Sequence, residues 1–300
     1  MILEGIYVPL TTPFAADLSI DFDAFGEMID WQVAQGVHGL VIGGSTGEFF
    51  ALTLDERKQQ LRFAAERIGG RVALVAGIND LRAERCYTLA RAAREAGAGA
   101  LLVAAPPYAL PRPAELAAHC RAIDQAADLP IILYNYPART GVHMDDAFLE
   151  EATAIGNVCA IKESSGDVDR IQQLVLCYPQ LQLSAGAEDR VLEFFAWGAR
   201  SWVSVIANFM PRVAVRLYET CVHDGDFDRG RRAVRALLPL MHCLERGGAF
   251  LPSVKAACEA MRRPGGPVRP PLAALHGTER DEIDRTVHNA YAAARDILGA

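Results

Sequence analysis

Lysine is nearly missing from this chain. Of its 30 basic residues all but Lys58, Lys162 and Lys255 are arginine, so few primary amines are available to any chemistry that needs one. Cysteine supplies no framework. Cys86, Cys120, Cys159, Cys177, Cys221, Cys243 and Cys258 are odd in number, far apart and without a Cys-x-x-Cys pair. That pattern argues against a disulfide scaffold and a zinc knuckle, and reads as small buried hydrophobes. No long basic run is present and the net charge is -7, which removes the phosphate-contacting surface a nucleic-acid partner requires. The first ten residues lack a basic stretch ahead of an apolar one, and nowhere do 18 apolar residues run without a charge. The expectation is a cytoplasmic protein with no membrane partner. Neither a Gly-x-Gly-x-x-Gly after the first strand nor a phosphate-loop lysine pattern occurs.

What the chain does have is apolar material in short pieces. With 51% hydrophobic and 22% charged residues over 300 positions, it carries enough for a large core without metal or disulfide staples. Eight apolar runs recur: 5–10, 39–43, 72–77, 100–104, 131–135, 158–162, 181–186 and 202–207. Between them lie segments of helical period with start signals at Asp21, Thr53 and Pro113 and glycine stops at Gly36, Gly69 and Gly97. Eight alternating units with strands apolar on both faces predict a (β/α)8 TIM barrel over residues 1–224. Three further helical stretches, 227–245, 251–261 and 279–298, predict a small helical C-terminal domain over 225–300.

Barrel active sites lie at the carboxyl ends of the strands. Here those ends present Gly43-Gly-Ser-Thr-Gly-Glu48, Pro106-Pro-Tyr108, Tyr134-Asn-Tyr-Pro-Ala-Arg-Thr-Gly141, Lys162 and Gly186. Lys58 sits on a charged helical surface and Lys255 in a C-terminal helix, where structural roles are expected. Lys162 instead ends an apolar strand. Desolvation inside a barrel lowers the pKa of an amine and frees the neutral nucleophile, which attacks a ketone to give an iminium ion. That ion is itself the electron sink, so neither a metal nor an organic cofactor is required. Loss of water calls for a proton shuttle, and Tyr134, Ser45 and Tyr108 have suitable hydroxyls. Glycines around Ser45 and Thr46 bare backbone N–H groups able to hold a small carboxylate. Arg139 offers a bidentate partner for a second one.

These segments, with 161–167 (IKESSGD), 5–14 (GIYVPLTTPF), 253–261 (SVKAACEAM) and 268–272 (VRPPL), resemble the dihydrodipicolinate synthase and N-acetylneuraminate lyase family over nearly the whole chain. The resemblance implies a barrel with a helical C-terminal domain and class I, Schiff-base lyase chemistry on pyruvate or a related 2-oxo acid. It implies Lys162 as the Schiff-base lysine, Tyr134 as the proton-shuttling phenol, and Ser45 and Thr46 as the hydroxyl pair of the glycine-rich turn. Tyr108 is implied to reach a neighbouring subunit's site in a homodimer or homotetramer. Gly186 and Val203 would line the pyruvate pocket through their backbone, and Arg139 would bind the second substrate's carboxylate.

The family reading closest to these residues is condensation of pyruvate with the aldehyde of aspartate 4-semialdehyde, the 4-hydroxy-tetrahydrodipicolinate synthase reaction. Ser45 stands nearer the neuraminate lyase form and Arg139 nearer the synthase form. The alternatives are therefore a neuraminate lyase, a 2-keto-3-deoxy sugar acid aldolase or dehydratase, and a hydroxypyrroline-carboxylate deaminase, all using the same lysine. A barrel that binds a small acid without turnover is the reading from another class. Pro107 replaces the first tyrosine of the family's usual pair, and Phe250-Leu-Pro-Ser-Val-Lys255 replaces its usual tail segment. Phe49, Phe50, Leu54 and Arg57 stand where lysine-inhibited members differ, so feedback inhibition by lysine is not expected.

Overall fold

A computed structural model describes residues 3–300. Strands β1 (Gly5–Pro9), β2 (Gly39–Ile42), β3 (Ala73–Gly77), β4 (Ala100–Ala104), β5 (Ile131–Asn135), β6 (Val158–Glu163), β7 (Gln182–Ala185) and β8 (Ser201–Val203) close into one parallel barrel. Pairing of β8 with β1 completes the ring. Helices α1 (Phe22–Ala34), α2 (Leu54–Ile68), α3 (Ala83–Ala96), α4 (Pro113–Ala127), α5 (Pro137–Thr140), α6 (Asp146–Ala152), α7 (Val168–Cys177), α8 (Val191–Ala196) and α9 (Pro211–Tyr218) lie in the connections and after β8. The chain ends in α10 (Phe227–Arg246), α11 (Phe250–Ala260) and α12 (Gly277–Leu298). The expected division at 224/225 falls in the turn just before α10, and α12 packs against both α10 and α11.

Local chemistry accounts for the starts and stops. The Asp21 side chain accepts from the Ala24 N–H at 2.9 Å, and Thr53 and Glu56 cap α2 reciprocally. Gly69 ends α2 at φ +54°, a left-handed conformation open to glycine at little cost. Alternation along each strand then splits the apolar residues in two. Tyr7, Val41, Val75, Leu102, Ile132 and Val203 fill the barrel interior. Ile6, Leu40, Leu101, Leu133 and Ile161 face outward to the helices and belong to the larger core.

Two expectations need correction. The eighth strand is short, because the backbone turns at Ile206–Asn208. The Glu188 carboxylate takes the Val205 N–H, and the Asn208 amide donates to the Val205 and Pro9 carbonyls, which ends the ladder. The cysteines are not uniformly buried either. Cys177, the last residue of α7, is exposed, and Cys159 and Cys243 are half-buried. Among the described residues no helix is long and apolar enough to cross a membrane, and no cluster of three potential metal ligands occurs.

Candidate active site

Strand register sets the chemistry. Tyr134 of β5 pairs with Lys162 of β6, which pairs in turn with Ser184 of β7. The period-two alternation turns Tyr134 and Lys162 inward above Ile132 and Ala160, at the carboxyl end of the barrel. Lys162 is only 5% exposed, and its Nζ lies 4.1 Å from the centroid of the Tyr134 ring. Ion pairs occupy the other two lysines, Lys58 with Asp55 and Lys255 with Glu48, and leave Lys162 without one among the described residues. Burial pushes its amine down to about 8, against the opposing pull of the Glu188 and Glu245 carboxyls. Roughly a tenth of such an amine is neutral at pH 7, several hundred times the fraction for an unperturbed lysine. Burial and the neighbouring Tyr136 push the Tyr134 phenol up, with Ser45 acting the other way, so Tyr134 keeps its proton.

Lys162 and Tyr134 open into a cavity of about 780 Å³ between the barrel and the C-terminal helices. Ser45 and Thr46 enter it from a turn of 3-10 helix, Ser45–Gly47, directly after β2. Gly186 lines it at the end of β7. A Cβ there would collide with the Ser164 hydroxyl and stand 2.8 Å from Lys162 Cγ and 2.7 Å from the Glu163 carbonyl. Only glycine lets β7 come that close to the lysine.

The mouth is polar. Arg139, from α5, stacks between two rings, 5.9 Å from the Tyr136 centroid and 5.7 Å from that of Phe250. Phe250 opens α11, so the C-terminal helices supply one wall. Glu245, near the end of α10, lines the same cavity; burial raises its carboxyl, while Lys162 and Arg139 pull it down. Below the mouth Arg246 pairs with Asp189, and His242 Nε2 lies 3.6 Å from the same carboxylate. This ties α10 to the loop after β7.

Of the eight residues singled out in the sequence, Lys162, Tyr134, Ser45, Thr46, Arg139 and Gly186 share the cavity. Val203 and Tyr108 do not. Val203 lies in the interior cluster beneath Tyr134, and Val205 takes the place on the cavity wall. Tyr108 is 94% exposed at φ +70°. Sequence reasoning missed Glu188 and Glu245. Glu188 follows Gly186 by two residues and was open to the same strand-end argument; it is fully buried, and burial pushes it up to about 8. Glu245 carries no local signal, since only the packing of α10 brings it over the barrel. Phe49 and Phe50 line the cavity, while Arg57 turns inward to the Gly77 and Asn79 carbonyls at 3.0 and 2.8 Å.

The profile of the Dihydrodipicolinate synthetase family matches residues 2–290. The 4-hydroxy-tetrahydrodipicolinate synthase of Acidithiobacillus ferrooxidans is 34% identical over 292 residues, 96% of this chain and 98% of that protein. That of Thermoanaerobacter sp. is 31% identical over 273 residues, 90% of this chain and 91% of its own length. Among solved structures, a prophage protein of the dihydrodipicolinic acid synthase family from E. coli K12, in complex with pyruvate, is 28% identical with a TM-score of 0.90. The match covers 97% of this chain and 99% of that one.

Proposed function

Because the chain belongs to the dihydrodipicolinate synthetase family and is a lyase, we propose that it joins pyruvate to a carboxylate-bearing aldehyde through a Schiff base on Lys162, with aspartate 4-semialdehyde as the aldehyde. The observation that carries this reading is the placement of Lys162: a buried amine with no ion pair among the described residues, lowered to about 8, over the Tyr134 ring at the floor of the cavity.

In this reading the neutral Lys162 amine adds to C2 of pyruvate, and Tyr134 donates the proton with which the carbinolamine oxygen leaves as water. Loss of a C3 proton turns the iminium into an enamine. Its C3 attacks the aldehyde carbon, forming the new carbon–carbon bond while the aldehyde oxygen takes up a proton. Water, or the amine of the condensed aldehyde, then adds to the C2 iminium carbon, and the C2–N bond breaks as the departing Lys162 nitrogen takes up a proton, which frees the product and restores the lysine. Ser45 and Thr46 relay protons to and from Tyr134. The N–H groups of their turn hold pyruvate's carboxylate, and Arg139 holds that of the aldehyde. The exposed Tyr108 phenol serves another copy's cavity in a homo-oligomer.

Pyruvate followed by borohydride, read by intact mass and peptide mapping, should give a single adduct on Lys162. Absence of the adduct overturns the reading.

A further inference from the structure

Strands β5 and β6 do not pair evenly. Ile131 lies opposite Val158 but Ile132 lies opposite Ala160, so Cys159 is an extra residue in β6, and from there the pairing runs regularly to Tyr134 with Lys162 and Asn135 with Glu163. Even pairing onward from Ile131 and Val158 would set Ile161 beside Tyr134 and Lys162 beside Asn135, on the face turned to the helices, because a slip of one residue moves every side chain to the opposite face. The bulge at Cys159 is therefore what brings the Lys162 amine into the barrel. Apolar burial does not choose between the two registers, since both faces of a barrel strand are covered. Something polar must hold the shifted one.

That hold lies on the outer face, immediately behind the two reacting side chains. Asn135 Nδ2 donates to Glu163 Oε2 at 2.7 Å, and both side chains are fully buried. The other oxygens of the pair are engaged too: the Ser165 N–H donates to Glu163 Oε1 at 2.6 Å and the Met144 N–H to Asn135 Oδ1 at 3.0 Å. Arg170 of α7 is itself buried, donates to the Met144 carbonyl, and places its Nε 4.0 Å from Glu163 Oε2. In the even register the Asn135 amide would meet the Lys162 ammonium, and Glu163 would move away from it. We propose that Asn135 and Glu163 are positioning residues for the reaction: their hydrogen bond fixes the register created at Cys159 and so keeps the Lys162 amine beside Tyr134. This rests on the Schiff-base reading above and adds to it a requirement that lies outside the cavity.

The test exchanges the two groups. Glu163→Gln turns a second N–H donor against the Asn135 amide or the Ser165 N–H, and Asn135→Asp sets two carboxylates together; the double variant restores the hydrogen bond with donor and acceptor reversed. Adduct formation on Lys162 with pyruvate and borohydride is followed by intact mass over a range of pyruvate concentrations, at a temperature where melts show every variant folded. In each single variant the rate at saturating pyruvate should fall about 10- to 100-fold, the cost of a misplaced reacting group. The half-saturating pyruvate concentration should stay within about threefold, because the Ser45–Thr46 turn follows β2 and is not disturbed. The double variant should recover the rate to within about threefold of the wild type. Asn135→Ser, which removes the donor without adding a charge, replaces a single variant that does not fold. Single variants that trap at the wild-type rate, a loss confined to the half-saturating concentration, or a folded double variant no faster than the singles overturns the inference while the Schiff base stands. A wild type that forms no adduct removes both.

Discussion

The Lys162 ammonium nitrogen lies over the face of the Tyr134 ring, 4.1 Å from its centroid, on the adjacent strand at the same register. A ring face gives a cation some electrostatic support and no acceptor oxygen. The amine is thus held in place without the anion that would keep it protonated, beside a phenol that burial keeps neutral.

The first consequence concerns pH. Trapping of pyruvate on Lys162 should rise with pH and level off above about 8, the point to which burial lowers the amine. The folded chain loses this proton before the unfolded chain does, so folding stability should increase with pH between about 8 and the unfolded value near 10.5. Lys162→Met should abolish trapping, flatten that rise, and gain about 1–3 kcal/mol at neutral pH in denaturant unfolding. A variant no more stable than the wild type would contradict the account of the amine as desolvated.

Gly186→Ala tests the close approach of β7. The added Cβ has no room between Ser164, Glu163 and Lys162, so it must displace the lysine or the strand. We expect a loss of about 1–3 kcal/mol in stability, the usual size of overpacking, and at least a tenfold slower trapping rate. Retention of the wild-type trapping rate would show that Lys162 is not held against Gly186.

A third prediction concerns the buried pair Lys255 and Glu48, 2.6 Å apart with both side chains no more than 3% exposed. Lys255 also donates to the Pro267 carbonyl at 2.6 Å, and the Arg269 N–H donates to Glu48 at 3.1 Å. Removing Lys255 alone, as Met, leaves Glu48 buried and uncompensated and should cost about 3–5 kcal/mol. Changing both, Glu48→Gln with Lys255→Met, should restore much of the loss. Equilibrium unfolding of the single and double variants decides the matter, and a double variant as unstable as the single one would refute it.

Acid stability should depend on Glu56. Arg269 grips its carboxylate through two nitrogens at 2.6 and 2.9 Å and holds it down to about 2. A lowered carboxyl contributes stability that is complete above its unfolded value near 4.5 and disappears as pH falls towards about 2. Glu56→Gln should therefore show a shallower acid limb in a pH series of thermal melts, with about 1 kcal/mol lost near neutrality. An unchanged acid limb would remove Glu56 from the account.

Much of the site was legible because it sits where strands end. Ser45, Thr46, Tyr134, Lys162 and Gly186 follow apolar runs whose period and length identify the strands, and barrel geometry brings such ends together. The end of the eighth strand was less legible: an apolar run that continues to Ala207 hides the turn made by Glu188 and Asn208, which leaves the Val203 side chain in the interior cluster with Tyr134 and puts Val205 on the cavity wall. Tyr108, expected to serve a neighbouring subunit's site, stands exposed at a left-handed backbone position outside its own cavity. Glu245 and Phe250 were beyond reach, since helical periodicity in α10 and α11 says which faces are apolar and nothing about where the helix ends land. Lys255 was read as structural, and the ion pair with Glu48 gives that role its content.

Pro271, Leu272 and Ala273 form part of the cavity wall, and just before them Arg269 is anchored to Glu48, Glu56 and the Leu18 carbonyl. The barrel's eight strands are complete by Val203, some seventy residues earlier in the chain. During synthesis, a chain that already contains all eight strands, Lys162 and Tyr134 among them, still lacks the segment that closes the cavity over them. The roof of the site is therefore the last part of the cavity wall to be made, and the same C-terminal helices that supply it share one continuous core with the barrel.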